Sequence, residues 1–199
     1  MELRDKNGLT EEEYLARYQP GKYPRPSVTV DICVLARTQQ GLRALLVRRG
    51  GHPYLGCWAL PGGFVDPQET TQEAAARELF EETHLQGLSL APIGLFSQPG
   101  RDPRTWTMSH AFAALVPDGL TARAGDDAAE TRWFDVSLAQ EGNSALLTLY
   151  SGTIQLRAQV AVMRQRTPFG TVVHCSAVRQ EGLAFDHGAI LCQALLALQ

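Results

Sequence analysis

The spacing of apolar residues divides the chain into strand-like and helix-like segments before any chemistry is considered. Val28 to Ala36 is β-branched and apolar, Gln39-Gln40-Gly41 reads as a turn, and Leu42 to Arg48 is apolar again. That pattern predicts a strand hairpin. Gly50 to Pro61 reads as a loop, and further strands are predicted at about 88–97, 107–116 and 131–134. Ile154, Leu156, Ala158, Val160 and Val162 alternate with Gln155, Arg157 and Gln159, the period of a half-buried strand. A second strand-like run, Thr171 to Arg179, follows the turn Thr167-Pro168-Phe169-Gly170, so 144–185 is expected to add a β-hairpin.

The helices are marked by their caps. Thr10 with Glu13, and Thr70 with Glu73, each form a capping box in which two side chains satisfy two orphan backbone N–H groups. The first helix is predicted to reach about Tyr18, where Pro20, Pro24 and Pro26 stop it. The second runs to about Thr83, with Ala75, Ala76, Leu79 and Phe80 as its buried side. Asp186 is expected to cap a terminal helix whose apolar side carries Ile190, Leu191, Ala194, Leu195 and Leu198.

Composition adds exclusions. A net charge of −3 over 199 residues gives no general attraction to nucleic acid or anionic membrane, so an anionic substrate would need local arginines or metal ions. The four cysteines, Cys33, Cys57, Cys175 and Cys192, form no C-x-x-C pair. Cys33 and Cys192 lie in apolar runs and are expected in the core. No apolar run approaches the ~20 residues of a membrane span, and the polar N-terminus has no signal-peptide core. A reduced, cytoplasmic protein is expected, with neither nucleic acid nor membrane as partner.

The chemistry concentrates between Gly63 and Leu85. Gly63 is followed by Glu69, then by Arg77-Glu78-Leu79-Phe80-Glu81-Glu82. Glu78, Glu81 and Glu82 stand at i, i+3 and i+4 and project from one broad side of a helix. Like charges so placed destabilise an isolated helix by a few tenths of a kcal/mol per pair. A hard divalent cation would remove that repulsion, because it takes oxygen ligands. Arg77 can hold a carboxylate in a fixed rotamer and lies at i, i+4 from both Glu73 and Glu81. Gly62 and Gly63 allow a tight turn that could aim a carbonyl at the same ion.

These residues resemble the Nudix box, G-x5-E-x7-R-E-U-x-E-E-x-G-U, with U a bulky apolar residue. Every specified position matches except one, where His84 replaces Gly. His tolerates the left-handed conformation better than most residues, so the resemblance implies local strain and an intact site. It extends over about 27–136, with Trp58-Ala59-Leu60-Pro61 before the box and Trp133-Phe134 after it. The family implies an α/β/α sandwich around a mixed sheet. Here that would be a single domain: a lead-in at 1–26, the core at 27–136, the hairpin at 144–185 and a closing helix at 186–199. It also implies a Mg²⁺- or Mn²⁺-dependent hydrolase acting on the pyrophosphate of a nucleoside diphosphate derivative, and a homodimer. By position, Glu78, Glu81, Glu82 and the Gly62 carbonyl would hold the metal, and Arg77 would orient the cluster.

A weaker resemblance concerns the substrate. Ser97-Gln98-Pro99-Gly100-Arg101-Asp102-Pro103-Arg104 and Gly125-Asp126-Asp127-Ala128 are similar to segments of bacterial ADP-ribose pyrophosphatases. Arg101, Arg104 and Asp127 are expected at the substrate, since arginine's planar fork suits phosphate and ribose oxygens. Of Arg48 and Arg49, alternation would turn one to the substrate, assigned to Arg48. The alternative for both loop arginines is pairing with nearby acids. Other substrates in view are NADH, dinucleoside polyphosphates, and oxidised or sugar nucleotides. An ADP-ribose-sensing transcription regulator is a third reading, but Arg157, Arg164, Arg166 and Arg179 are spread through strand-like sequence rather than along a recognition helix.

Overall fold

The computed structural model describes residues 2–123, 125 and 128–198. Its centre is strand β1 (Ser27–Thr38), buried along most of its length. Val30, Ile32, Val34 and Ala36 join one core, while Cys33 and Leu35 join another. Successive side chains leave a strand on opposite faces, so an apolar run of this kind requires cover on both sides.

Strand β2 (Gly41–Arg49) returns antiparallel to β1. Short strands β3 (Trp58–Ala59) and β4 (Gly62–Phe64) pair with β2 and β1; β3 lies within the stretch expected to be loop and β4 directly follows it. Beyond them come β5 (Ala91–Phe96), β6 (Thr107–Pro117), β7 (Ala128–Glu141), β8 (Ser144–Ser151), β9 (Ile154–Thr167) and β10 (Gly170–Glu181). The sheet order is β10-β9-β8-β7-β2-β1-β6-β5, and β6 runs parallel to β1.

Helix α2 (Thr71–Thr83) covers one face, packing Ala74, Ala75 and Leu79 on Val30, Ile32 and Val34. Helix α3 (His187–Ala197) covers the other, against Cys33, Leu35 and the inner residues Leu147, Leu149, Leu156, Ala158 and Val160 of β8 and β9. The result is the mixed-sheet α/β/α sandwich expected. Helix α1 (Glu11–Arg17) has its capping box but buries none of its residues. No helix among the described residues is long and apolar enough to cross a membrane.

Three expectations are corrected. The hairpin of β9 and β10 is present, but β8 and a β7 longer than 131–134 make it part of a meander that extends the main sheet. That meander wraps α3, so α3 is buried on nearly all sides rather than along one stripe, and Ala197 and Leu198 emerge at its C-terminal end. On α2, Ala76 and Phe80 are exposed while Ala74 and Thr83 are buried. The helix is rolled so that its acidic side, instead of pointing to bulk water, meets the glycines of β4.

The end of α2 is fixed from outside. His84 takes the left-handed conformation at φ 59° and ψ 17°, as the resemblance implied. The last carbonyls of the helix find external donors: Gly125 N–H reaches Glu82 O at 3.1 Å and Arg123 N–H reaches Thr83 O at 3.0 Å. A non-glycine residue held left-handed costs about 1–2 kcal/mol. His84→Gly is therefore expected to raise unfolding stability by about 1 kcal/mol in urea titration, the remainder being lost with the His84–Phe80 ring contact.

Candidate active site

The site begins where β4 crosses under α2. Asp31 and Val30 of β1 pair with Gly62 and Gly63. Gly62 has φ +154°, and a Cβ there would overlap the Val30 carbonyl oxygen. A Cβ on Gly63 would collide with the Glu78 carboxylate. The two glycines thus bring bare backbone against the acids of α2, and Gly62 N–H donates to Glu82 Oε2 at 3.0 Å. Glu78 and Glu82 line a cleft of about 770 Å³. Glu81 lies outside that lining, with its side chain 54% exposed.

Arg77 organises the acids. Its Nε and one terminal nitrogen donate to both Glu69 oxygens at 3.1 and 2.6 Å. The other terminal nitrogen donates to Glu78 at 2.8 Å and Glu81 at 3.0 Å, and Phe64 O accepts a further bond at 3.0 Å. Paired charge-assisted bonds of this kind set rotamers as well as energy. Glu73, the other acid at helical spacing from Arg77, instead caps the helix through Thr70 N–H at 2.8 Å.

Glu82 carries the strongest electrostatic perturbation among these acids. Burial pushes its carboxyl up to about 7, the charges of Glu78 and Asp31 add to the rise, and the Gly62 N–H and Arg49 only partly oppose it. Burial also raises Glu78, against the pull of Arg77. Two crowded carboxylates beside a backbone turn form an all-oxygen donor set, which fits a hard divalent cation. The arrangement is not a finished cage: among the described residues no three Asp, Glu, His or Cys side chains converge on one point. Arg77 holds Glu81 and Glu69 aside.

Beneath the cleft lies a buried polar network centred on Asp31. Its Oδ2 accepts from Arg101 at 3.2 Å and from the Ser109 hydroxyl. Its Oδ1 faces His187 Nε2 at 3.2 Å. Leu60 N–H donates to His187 Nδ1 at 2.8 Å, which leaves the ring proton on Nε2, pointed at Asp31. Burial alone would raise the Asp31 carboxyl, but His187, Arg101 and Ser109 hold it well below the usual carboxylate range. Arg101 also grips Asp186 through two bonds of 3.0 and 2.6 Å.

This network changes the picture of the substrate residues. Arg101 borders the cleft, but its side chain is only 4% exposed and its donors serve Asp31 and Asp186. The alternative of pairing with acids describes it. Asp186 consequently makes no side-chain cap on α3. Arg104 lines the cleft, more open but bound to both Asp102 oxygens. Arg48 and Arg49 both line the cleft, because a register shift between them breaks the alternation that would have sent one away. Asp126 and Asp127 lie outside the described residues. Asp31, Ser109 and His187 were missed, although a charged residue inside the apolar run Val30-Asp31-Ile32 is a readable sign of a buried polar site.

The NUDIX domain family model matches residues 25–150. The chain belongs to the NUDIX family. An ADP-ribose pyrophosphatase from Methanocaldococcus jannaschii is 41% identical over 115 residues, 58% of this chain and 65% of that protein. A MutT/nudix family protein from Enterococcus faecalis superposes with a TM-score of 0.74 and 30% identity, covering 96% of this chain and 70% of that one. The NUDIX domain of Shewanella oneidensis NrtR, in a complex with ADP ribose, gives a TM-score of 0.68 at 25% identity, covering 96% of this chain and all of that domain. The chain spans 45 to 65% of the length of the curated relatives it first matches. NUDIX hydrolases generally use divalent metal ions, in keeping with the oxygen donors of α2 and β4.

Two measurements test this electrostatic description. The folded protein holds a proton on Glu82 between about pH 4.5 and 7 that the unfolded chain releases, so metal-free stability should fall as pH rises through that window. Glu82→Gln is expected to flatten the decline, gaining about 2–3 kcal/mol at pH 8 in urea titration. Arg101→Met leaves Asp31 buried beside an uncompensated Asp186, and is expected to cost about 3 kcal/mol in the same assay.

Proposed function

We propose that this chain hydrolyses the pyrophosphate of a nucleoside diphosphate derivative, with ADP-ribose the first candidate and AMP and ribose 5-phosphate the products. The observation that carries this reading is one cleft lined by both signs of charge. Glu78 and Glu82 meet the Gly62–Gly63 backbone there, and Arg48, Arg49 and Arg104 line the same cleft. Such a cleft matches a pyrophosphate ligand that carries further anionic or planar groups.

In the reaction, a water oxygen bonds to one phosphorus of the pyrophosphate and the bridging P–O bond breaks. Glu78, Glu82 and the Gly62 carbonyl would hold Mg²⁺ or Mn²⁺, and Glu81, paired with Arg77 beside the cleft, would act through water. When bound, the ion supplies neutralisation of phosphate charge and a more acidic water. The residues of the chain do the rest. Arg77 keeps Glu78 and Glu81 in register, Gly63 leaves room for the Glu78 carboxylate, and a cleft carboxylate accepts the proton of the attacking water. Arg48, Arg49 and Arg104 meet the phosphate and ribose oxygens that point away from the acids.

A second reading, in which this chain senses a ligand rather than hydrolysing it, is supported by the likeness to the NUDIX domain of NrtR in its complex with ADP ribose. Against it stand the complete set of acids on α2 and the location of Arg157, Arg164, Arg166 and Arg179 on strands β9 and β10. Incubation with a panel of nucleoside diphosphate derivatives in Mg²⁺ or Mn²⁺, with products identified by mass, decides between them. Cleavage of ADP-ribose in preference to NADH, dinucleoside polyphosphates and sugar nucleotides supports the first reading. Intact ligands together with salt-dependent promoter binding support the second.

Glu82→Gln is expected to abolish metal-dependent turnover while the circular dichroism spectrum is retained. Gly63→Ala, by displacing Glu78, is expected to lower kcat about 10- to 100-fold, the loss typical when the support of a metal ligand is disturbed. Unchanged turnover in both variants would place the site elsewhere.

A further inference from the structure

The cleft has a wall that neither the carboxylate helix nor the arginines explain. Among the described residues, three non-glycine residues have positive φ: Tyr54, His84 and Phe185. His84 is accounted for by the end of α2. The other two touch each other edge to face, with ring centroids 4.8 Å apart, and Phe185 lines the cleft. A bulky residue held left-handed is strained and persists only where its surroundings over-determine it.

The surroundings of Phe185 do this. Leu183 forms a parallel bridge to Trp58, and Ala184 N–H donates to Trp58 O at 2.9 Å. The Gln180 side-chain amide donates to the carbonyls of Leu183 and Phe185. His187, two residues on, is locked between Leu60 N–H and Asp31. The segment is therefore pinned from three directions, and the pinning keeps a half-buried phenyl ring on the cleft wall. The ring packs in part against Val47, Ala59 and Ala184, although a glycine would accept the same backbone without strain.

The ring is flanked by cations. The Arg49 guanidinium lies 5.0 Å from its centroid and that of Arg104 lies 5.7 Å away. Arg104 also lies 5.0 Å from the ring of Phe64. Two guanidiniums sharing one aromatic ring repel each other, and an anion between them would relieve that repulsion. Planar aromatic and guanidinium faces next to positive charge suit a nucleobase and the phosphate attached to its ribose.

We propose that Phe185 is the stacking platform for the base of the nucleotide, with Arg49 and Arg104 flanking it and Tyr54 bracing its edge. The assignment rests on the nucleotide-hydrolase reading for its ligand class, and it deepens that reading by placing the base on the Phe185 wall of the cleft that Glu78 and Glu82 also line. Base selectivity then depends on the pinned segment that leads into α3, which lies outside the carboxylate helix altogether.

Calorimetric titration with AMP and with ribose 5-phosphate, both in Mg²⁺, tests it. Phe185→Ala and Phe185→Gly are expected to weaken AMP binding about tenfold, the scale of one base–aromatic stack. Phe185→Trp should restore it, and ribose 5-phosphate affinity should be unmoved in all three. Phe185→Leu keeps apolar volume and loses the π face, so it carries the titration if the smaller variants do not fold. Unchanged AMP affinity in these variants, or a wild type that binds no AMP at millimolar concentration, overturns the platform. A wild type that binds AMP in a Phe185-dependent way yet cleaves no nucleoside diphosphate derivative leaves the platform standing and removes the hydrolase reading instead.

Discussion

Asp31 is a charge buried in the middle of the central strand, and the layout of the site follows from how that charge is satisfied. Burying a carboxylate without partners is prohibitive. Here the partners come from three separate parts of the chain: Arg101 from the loop before β6, Ser109 from β6, and His187 from the first turn of α3. Satisfying one group therefore docks a loop, a strand and a helix on β1. Asp31 also pairs in register with Gly62, whose N–H holds Glu82. The carboxylates of α2 and the segment leading into α3 thus meet at one residue of the sheet.

The cleft divides its arginines by what surrounds them. Arg77 and Arg101 are internal ties, each using several donors on fixed carboxylates. Arg48 and Arg49 keep more freedom, each side chain donating to one loop carbonyl, with Glu130 a further 4.0 Å partner of Arg48. Arg104 stands between, paired with Asp102 yet lying over two aromatic rings at the opening. Cations already committed to buried acids add rigidity, whereas those near solvent remain available to an anionic ligand. The low net charge of the chain is consistent with this, since attraction for phosphate has to be local.

Rigidity in this protein is concentrated where backbone geometry is unfavourable. Gly62 and Gly63 solve the close approach of β4 to α2 by having no side chain. His84 and Phe185 meet similar demands with side chains, and neighbouring hydrogen bonds hold each of them in place. Where glycine would fit and a larger residue stands instead, the side chain has a reason to be there. His84 contacts Phe80 and the Arg123 carbonyl on the surface. Phe185 faces the cleft.

Much of the fold was legible along the chain because its signals are local. The capping boxes of α1 and α2 join residues three apart. The β1–β2 hairpin turns within a few residues, and the alternation of β9 repeats every second residue. The acids of α2 share a helix, so their spacing alone places them together. What the sequence left open depends on partners far away in the chain. Arg101 lies 70 residues from Asp31 and 85 from Asp186, so nothing in its own neighbourhood shows that it is buried and committed. The roll of α2, the wrapping of α3 by the β8–β10 meander, and the register shift that turns both Arg48 and Arg49 to the cleft are decided by packing between distant elements. The sequence by itself determined the carboxylate helix with its glycine turn, because i to i+4 spacing is enough to assemble it. Only the tertiary structure decided which arginines and which aromatic ring face it, because those positions follow from the register of β2 against β7 and from how one buried aspartate gathers its partners.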